Sequence, residues 1–167
     1  RSSDLLLDKI KIETILTPRT VVFALEQSRS IQDIMKHEKD IFKFSRIPVY
    51  KESIENITGM VMTKKIFEQA LQNDKHDLSS IKKDIFNIHE NIPVSKALDL
   101  LIKKKEHMFL VVDSYDQTEG IVTLEDCVET ILGVEIVDES DSVEDMRMLA
   151  KQKMKAKRKL EEKKKND

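Results

Sequence analysis

The 167-residue chain is 40% hydrophobic with only 5% aromatics and no Trp, which predicts folded cores built from Ile, Leu, Val and Met. Its longest apolar runs, at 21–25 and 108–112, are about five residues against roughly twenty for a transmembrane helix, so the chain itself is not expected to cross a membrane. Residues 151–167 hold nine of the 29 Lys/Arg but three of the 31 Asp/Glu, and the acidic remainder predicts no nucleic-acid partner.

Apolar residues at helix and strand spacing predict the elements in chain order. A stripe at Leu5, Leu6 and Ile10 predicts a leading helix over residues 5–13, which ends before Pro18 because Pro disfavours helix in the residue preceding it. The pattern then predicts strand, helix, strand, strand and helix, with apolar positions at 21–25, 31–35, 46–50, 59–62 and 66–71. After a polar connector the same order returns, with apolar positions at 85–88, 94–102, 108–112, 120–123 and 128–132.

This repetition predicts a duplicated fold. Ile47 aligns with Leu110 at an offset of 63 residues, and Gly59 aligns with Gly120 at an offset of 61 if the second hairpin loop is two residues shorter. Two copies are too few for a solenoid, which needs at least about three. The predicted fold is α/β (α+β), with two tandem β-α-β-β-α repeats related by pseudo-twofold symmetry, plus a leading helix and a C-terminal helical tail. A ligand site is expected between the repeats.

Cys127 is the only cysteine, so the chain cannot form an internal disulfide. It shares the apolar side of a helical stretch with Val128, Ile131 and Leu132, and we interpret it as a buried side chain rather than a reactive thiol. A lone cysteine is also consistent with a reducing cytoplasm.

Two charged segments near the C-terminus each have two interpretations. The acidic residues within 138–145 predict either a solvated helix entry or a site for hydrated Mg²⁺, although they lack the pattern of a calcium loop. The basic tail at 151–167 predicts either a solvated helix end or a contact with anionic lipid headgroups beside a membrane partner.

Several strings of this sequence resemble one family. They are ILTPRTVVFAL, FSRIPVYKES, GMVMTKKI, FLVVDSYDQTEGIVTLEDCVETILG and EIVDESD. They resemble the CBS pair, or Bateman module, of CorC/cyclin-M-type magnesium transporters over residues 14–135. The resemblance implies a linker helix from a membrane domain at 1–13, CBS repeats at 14–76 and 77–135, and an acidic segment with a basic tail at 136–167.

The resemblance also implies a function, which is regulation rather than catalysis. In that family the module is a cytoplasmic part of an integral membrane protein, forms a homodimer and follows a membrane domain. It binds ATP with Mg²⁺, or the related ADP or AMP. The chain is therefore expected to be a non-enzymatic nucleotide sensor that controls ion transport, with Mg²⁺ held through the nucleotide phosphates and no metal site of its own.

Thr123 and Asp126 are the central candidates for the nucleotide site. Thr123 falls at a predicted strand end and Asp126 in the first turn of the next helix, so both side chains are expected at one cleft mouth. Asp126 suits the two ribose hydroxyls, while Thr123 and the helix N-terminus suit phosphate. The same Thr-x-x-Asp spacing is also typical of a capping box, and the two roles are compatible.

Arg46 supplies a bidentate cation for the phosphates. By resemblance, Thr17 and the backbone around Ile47 and Pro48 line the adenine. Phe44 lies against the face of the base, and Ser45 precedes Arg46 where some relatives have Thr.

Comparing the repeats predicts one nucleotide per chain. The first repeat has Met62 and Lys65 where the second has Thr123 and Asp126, and Phe109 is aligned with Arg46. Each repeat thus keeps a different half of the binding residues, and the alternative site is expected to be empty or weak.

Two rival functions are weighed. One is a nucleotide-independent dimerisation module, in which Thr123 and Asp126 only cap a helix. The other is a nucleotide hydrolase, which is disfavoured because no general base is recognisable beside Arg46. With three glycines there is no Gly-rich phosphate loop, and the four histidines share no metal-ligand spacing.

Overall fold

The computed structural model describes residues 8–73, 75–137 and 143–166, with the side chains of all these except 134–137 and 143–149. The strands are β1 (Thr17–Pro18), β2 (Leu25–Glu26), β3 (Arg46–Lys51), β4 (Ser53–Met62), β5 (Asn87–His89), β6 (Met108–Val112) and β7 (Thr118–Thr123). The helices are α1 (Ile31–His37), α2 (Thr63–Leu71), α3 (Val94–Lys104), α4 (Leu124–Val137) and α5 (Val143–Asn166). Within the described residues no helix is long and apolar enough to span a bilayer.

The chain divides into two compact units. The repeat-1 unit contains Phe23–Ile85 and the end of the chain from Lys164. The repeat-2 unit contains the residues up to Val22 together with Phe86–Lys163. Each unit has its own sheet and its own apolar core, and the mixed α/β class predicted from the sequence is confirmed.

The repeat-1 unit has a three-stranded sheet in the order β2-β3-β4. β2 runs parallel to β3, and β3 pairs antiparallel with β4 through a tight turn in which Glu52 has a positive φ of 67°. The alternating residues Ile47 and Val49 point into the core because side chains along a strand alternate between faces. α1 starts where the Ser30 side chain accepts a hydrogen bond of 3.1 Å from the Asp33 N–H, a standard N-cap.

The repeat-2 unit has a four-stranded sheet in the order β1-β7-β6-β5. β5 runs parallel to β6, and β7 pairs antiparallel with β6 on one side and with β1 on the other. Residues 14–22, which the sequence analysis places with the first repeat, lie in this unit because β1 completes its sheet.

Gly120 permits the pairing of β1 with β7. A Cβ at this position would lie 1.9 Å from the carbonyl oxygen of Thr17, which no side chain can accommodate without a backbone shift. Gly59 has the same role in the repeat-1 unit, where its neighbour Met60 exchanges two 2.8 Å backbone hydrogen bonds with Lys83. Gly120 therefore lies at the sheet edge where β7 meets Thr17. Gly59 lies at the equivalent edge of the other sheet, where β4 meets Lys83.

Two predictions at the N-terminal end need correction. The predicted strand at Val21–Leu25 is wrong, since only Leu25 of that run is in a strand and Val21 closes a turn by donating its N–H to the Pro18 carbonyl at 2.9 Å. The predicted helix over 5–13 is not present in residues 8–13, where a 3₁₀ turn covers Ile12–Thr14. The earlier part of that helix lies outside the described residues.

The alignment of the repeats also needs correction by one residue. Arg46 pairs with Met62 across β3 and β4, and the equivalent pair across β6 and β7 is Met108 with Thr123. The offset therefore drops from 63 to 62 before β6 and to 61 in the hairpin. Met108, not Phe109, stands in the place of Arg46. Phe109 is instead equivalent to Ile47, and both side chains are fully buried.

Candidate functional site

Thr123 and Asp126 form the capping box that their spacing predicts. β7 ends at Thr123 and α4 begins at the next residue. The Thr123 N–H donates to Asp126 Oδ2 at 3.0 Å, and the Asp126 N–H donates to Thr123 Oγ1 at 3.2 Å. This reciprocal pair satisfies two backbone donors at the start of α4 and fixes the carboxylate of Asp126, a residue that is 7% exposed.

The second oxygen of Asp126 is engaged by the C-terminal helix. Lys157, on α5, forms an ion pair with Asp126 Oδ1. One turn earlier, the Lys153 ammonium donates to the Glu129 carbonyl oxygen at 3.2 Å. The sequence analysis did not predict the contact of Lys157 with Asp126. The sequence indicates only that Lys157 and Lys153, four residues apart, lie on the same face of a helix.

A pocket surrounds this carboxylate within the repeat-2 unit. Its cavity volume is about 30 Å³, and α4, the segment before β1 and α5 form its walls. The lining residues are Ile10, Ile15, Asp126, Glu129, Thr130, Gly133, Ala150, Lys153, Met154 and Lys157.

Cys127 follows Asp126 and is fully buried in the core of the repeat-2 unit. Burial raises the pKa of its thiol to about 12, and the neighbouring Asp126 charge adds to the increase. The thiol is therefore protonated at neutral pH, and the interpretation of Cys127 as buried packing is confirmed.

Thr17 also belongs to this unit. It is buried in β1 opposite Ile121, two residues before Thr123 along β7. The repeat-2 unit thus contains three of the eight predicted site residues, namely Thr17, Thr123 and Asp126. The structure joins two of these, Thr123 and Asp126, by direct hydrogen bonds.

The other five predicted residues are consecutive in the repeat-1 unit. Phe44 and Ser45 precede β3, and both of their carbonyl oxygens accept hydrogen bonds from Thr63 at the start of α2. The Phe44 ring stacks on Phe23 at 5.0 Å between centroids, a partner that the sequence analysis did not identify. These contacts fix the segment from which Arg46 projects.

β3 then begins with Arg46, Ile47 and Pro48. Arg46 is half-buried, and no acidic side chain in the described part of the chain forms an ion pair with it. The side chains of Ile47 and Pro48 are buried, so only their backbone is suited to meet a ligand. An Arg without an internal partner is a suitable group for an anion.

The two helix starts differ as the sequence predicts. Met62 is the N-cap of α2 and forms no side-chain cap bond, and Lys65 stands where α4 has Asp126. No group of three or more His, Cys, Asp or Glu side chains is placed to hold a metal ion within the described residues. The side chains of the acidic run at 138–145 lie outside those residues.

The profile of the CBS-domain family matches residues 77–133. YugS of Bacillus subtilis (strain 168), a UPF0053 protein, is 32% identical over 137 residues, which are 82% of this chain and 32% of YugS. Hemolysin C of Rickettsia prowazekii (strain Madrid E) is 32% identical over 138 residues, which are 80% of this chain and 44% of that protein. The chain thus spans from about a third to less than half of these curated relatives.

Solved structures match over most of their length. The CBS domain of a bacterial CNNM/CorC family Mg²⁺ transporter in complex with ATP has a TM-score of 0.72 and 32% identity, covering 79% of this chain and 94% of that one. A CBS domain from Clostridium difficile 630 has a TM-score of 0.69 and 34% identity, covering 76% and 97%. The chain therefore belongs to the CBS-domain family, as the CBS region of a CNNM/CorC-type protein.

Proposed function

We propose that this chain is the cytoplasmic regulatory module of a magnesium transporter, and that it binds one adenine nucleotide to control ion transport. The ligand is ATP with Mg²⁺, with ADP and AMP as related ligands. The observation that carries the proposal is the buried Asp126 carboxylate, held at the start of α4 by Thr123. Its support from outside the chain is the 32% identity to a CBS domain in complex with ATP.

The repeat-2 unit supplies the ribose and phosphate contacts in this proposal. Asp126 is acceptor-only when ionised, so it suits the two ribose hydroxyls. Thr123 Oγ1 already accepts from the Asp126 N–H, which leaves its hydroxyl proton to donate to phosphate. The N-terminus of α4 adds backbone N–H groups and a positive dipole end.

The repeat-1 unit supplies the remaining contacts. Arg46 pairs with the phosphate oxygens, because it has no internal carboxylate partner in the described residues. Phe44, braced by Phe23, supplies an aromatic face for adenine, and the backbone of Ile47 and Pro48 with Thr17 lines the base. Mg²⁺ needs only a few protein oxygens and is carried by the phosphates.

Only one nucleotide per chain is expected. A second site made by exchanging the roles of the repeats would have Lys65 where ribose needs a carboxylate and Met108 where phosphate needs Arg46. A nucleotide bound at the one complete site favours one arrangement of the module, and this shifts an equilibrium that the preceding membrane domain senses.

The proposal includes a homodimer. Leu71 on α2, Ile102 on α3 and Leu132 on α4 are 86%, 62% and 56% exposed, which makes these helices candidates for contact with a partner. A second copy of the chain is the partner proposed to cover them. A further proposed contact, between the basic tail and anionic lipid, predicts that the chain sediments with phosphatidylserine vesicles at low salt only.

Thermal unfolding tests the nucleotide proposal. ATP, ADP and AMP, each with and without Mg²⁺, are added at millimolar concentration, and a ligand that binds only the folded state raises the Tm. Asp126→Asn keeps an acceptor for the Thr123 N–H but loses the charge, so we expect it to lose the Tm increase. Lys65→Asn, at the equivalent position of α2, is the matched control and should keep it.

The rival function, a nucleotide-independent dimerisation module, predicts a different result. No increase in Tm with any adenine nucleotide, together with unchanged stability of Asp126→Asn, would leave Asp126 with a capping role only. Sustained release of phosphate from ATP by the purified protein would instead support the hydrolase.

A further inference from the structure

Helix α5 contacts the one carboxylate oxygen that the capping box leaves available. Thr123 donates to Asp126 Oδ2, and Lys157 of α5 pairs with Oδ1. Lys153, one turn away on the same face, donates to the Glu129 carbonyl of α4. Two lysines of the basic tail thus hold α5 against the first turns of α4, although Asp126 and Lys157 are 31 residues apart.

The docked helix also limits the space beside Asp126. The pocket that Asp126 lines there, with Lys153, Met154 and Lys157 in its wall, has a cavity of about 30 Å³. Sites for small molecules and cofactors are typically about 300–1,000 Å³. A ribose that donates to Asp126 Oδ1 therefore needs both the lysine and part of this helix to move.

We propose that α5 is a built-in competitor of the nucleotide, in which the Lys157 ammonium occupies the position of the ribose donors on Asp126. This inference rests on the proposed function and adds its regulation: nucleotide binding displaces α5, and a docked α5 opposes nucleotide binding. A carboxylate oxygen can accept more than one hydrogen bond, so the two compete for space: Lys157 and the α5 wall of the pocket fill the volume beside Oδ1 that a ribose would need.

The docked state has features that make it reversible. Arg158, next to Lys157, has a buried Nε with no hydrogen-bond partner among the described residues, which penalises docking. The Lys157 side chain remains 27% exposed, so water can reach its ammonium and the pair is weaker than a fully buried one. A helix held mainly by lysines, with Ala150 and Met154 as its apolar pocket contacts, is therefore suited to exchange with a ligand.

The expected effect on nucleotide affinity depends on the fraction of molecules in which α5 is undocked, which we call open. If docked molecules outnumber open ones by about ten to one, the apparent Kd of the nucleotide is about tenfold higher than that of the open state. Removing the Lys157 ammonium should therefore tighten binding by up to about that factor, whereas it should weaken binding if Lys157 contacts the phosphates directly.

Titration calorimetry with Mg-ATP tests this in the full chain. We expect Lys157→Ala to bind more tightly than the unsubstituted chain, by up to about tenfold, and Lys155→Ala, which removes an exposed lysine of the same helix, to bind with unchanged affinity. Equal or weaker binding by Lys157→Ala would overturn the inference while leaving the proposed function intact. Absence of binding in all three proteins would contradict the proposed function itself.

Limited trypsin digestion gives an independent measurement. Mg-ATP should raise the rate of cleavage within 151–165 in the unsubstituted chain, measured by mass spectrometry, because displaced helix is more accessible. Lys157→Ala should show fast cleavage there even without nucleotide. Cleavage in this segment that Mg-ATP slows or leaves unchanged would show that the nucleotide does not displace α5.

Discussion

At the scale of single residues, burial decides which groups of the repeat-2 unit are chemically available. Asp126 and Cys127 are adjacent and both buried, yet only Asp126 is held at a helix start with donors on its two oxygens. Cys127 points into the apolar core, where its thiolate is disfavoured. Asp126 therefore keeps the hydrogen-bonding capacity that the proposed site requires, whereas Cys127 is a packing group.

The pKa of Cys127 predicts a pH dependence of stability. Its ordinary pKa of 9.0 is raised to about 12 by burial, so the folded state keeps the proton at a pH where the unfolded state has lost it. Unfolding then releases a proton, and the free energy of unfolding should fall as pH rises from about 9 towards 12. Urea unfolding at pH 8 and pH 10 measures this.

Comparison with Cys127→Ala isolates the contribution of the thiol, because the two proteins differ in no other titratable group. We expect the alanine variant to lose less stability between the two pH values. In the unsubstituted chain, iodoacetamide should react only as fast as the protein unfolds. Rapid alkylation of the folded protein would contradict the buried state of the thiol.

The sequence predicts the capping box because Thr123 and Asp126 are only three residues apart. It does not predict that Lys157 pairs with Asp126. Thr-x-x-Asp after an apolar run specifies local hydrogen bonds whatever the rest of the fold does. The partner of Asp126 Oδ1 depends on where a helix 31 residues later packs, and local spacing contains no information about that. The stacking of Phe23 on Phe44 depends in the same way on a contact between segments distant in sequence.

At the scale of elements, the strand positions were harder to predict than the helices. α1 and α3 begin at Ile31 and Val94, as the apolar pattern indicates. The sequence alignment of β3 with β6 is wrong by one residue. All five residues of β6 are apolar and buried, so they show no alternation from which the register could be read. The two-residue strand β1 has too few residues to show any period.

The pairing of β1 with β7 gives a prediction at this scale. Gly120→Ala places a Cβ 1.9 Å from the Thr17 carbonyl oxygen, so β1 must move away from β7. We expect a loss of about 2 kcal/mol or more in the free energy of unfolding, measured by urea denaturation. Glu119→Ala, at the neighbouring half-exposed position of β7, is the control and should change stability by less than about 0.5 kcal/mol. A wild-type value for Gly120→Ala would show that β1 is not paired there.

At the scale of the whole molecule, the duplication explains why the two units share an order of strands and helices. It also explains why they differ at the positions proposed to contact the nucleotide. Both have a helix starting directly after the last strand of a hairpin, and both use a glycine to admit a neighbouring segment at the sheet edge. They differ at the positions of Arg46 and Asp126, where the equivalents are Met108 and Lys65. In the proposed function, divergence at these positions leaves one complete nucleotide site rather than two.

Exposed apolar side chains on the helices predict that the chain assembles with a second copy. Leu132 and Ile102 are exposed on α4 and α3, two helices that contact each other in the repeat-2 unit, and the proposed dimer surface includes both side chains. If a second chain covers that surface, the mass in solution is twice the 19.4 kDa of one chain, and the Tm rises with protein concentration. Leu132→Lys should shift the mass measured by light scattering towards one chain and remove that concentration dependence. Tyr115→Lys adds the same charge at a position that is 83% exposed, between β6 and β7, and is a control that should stay dimeric. A single-chain mass for the unsubstituted protein at the highest concentration measured would contradict the dimer.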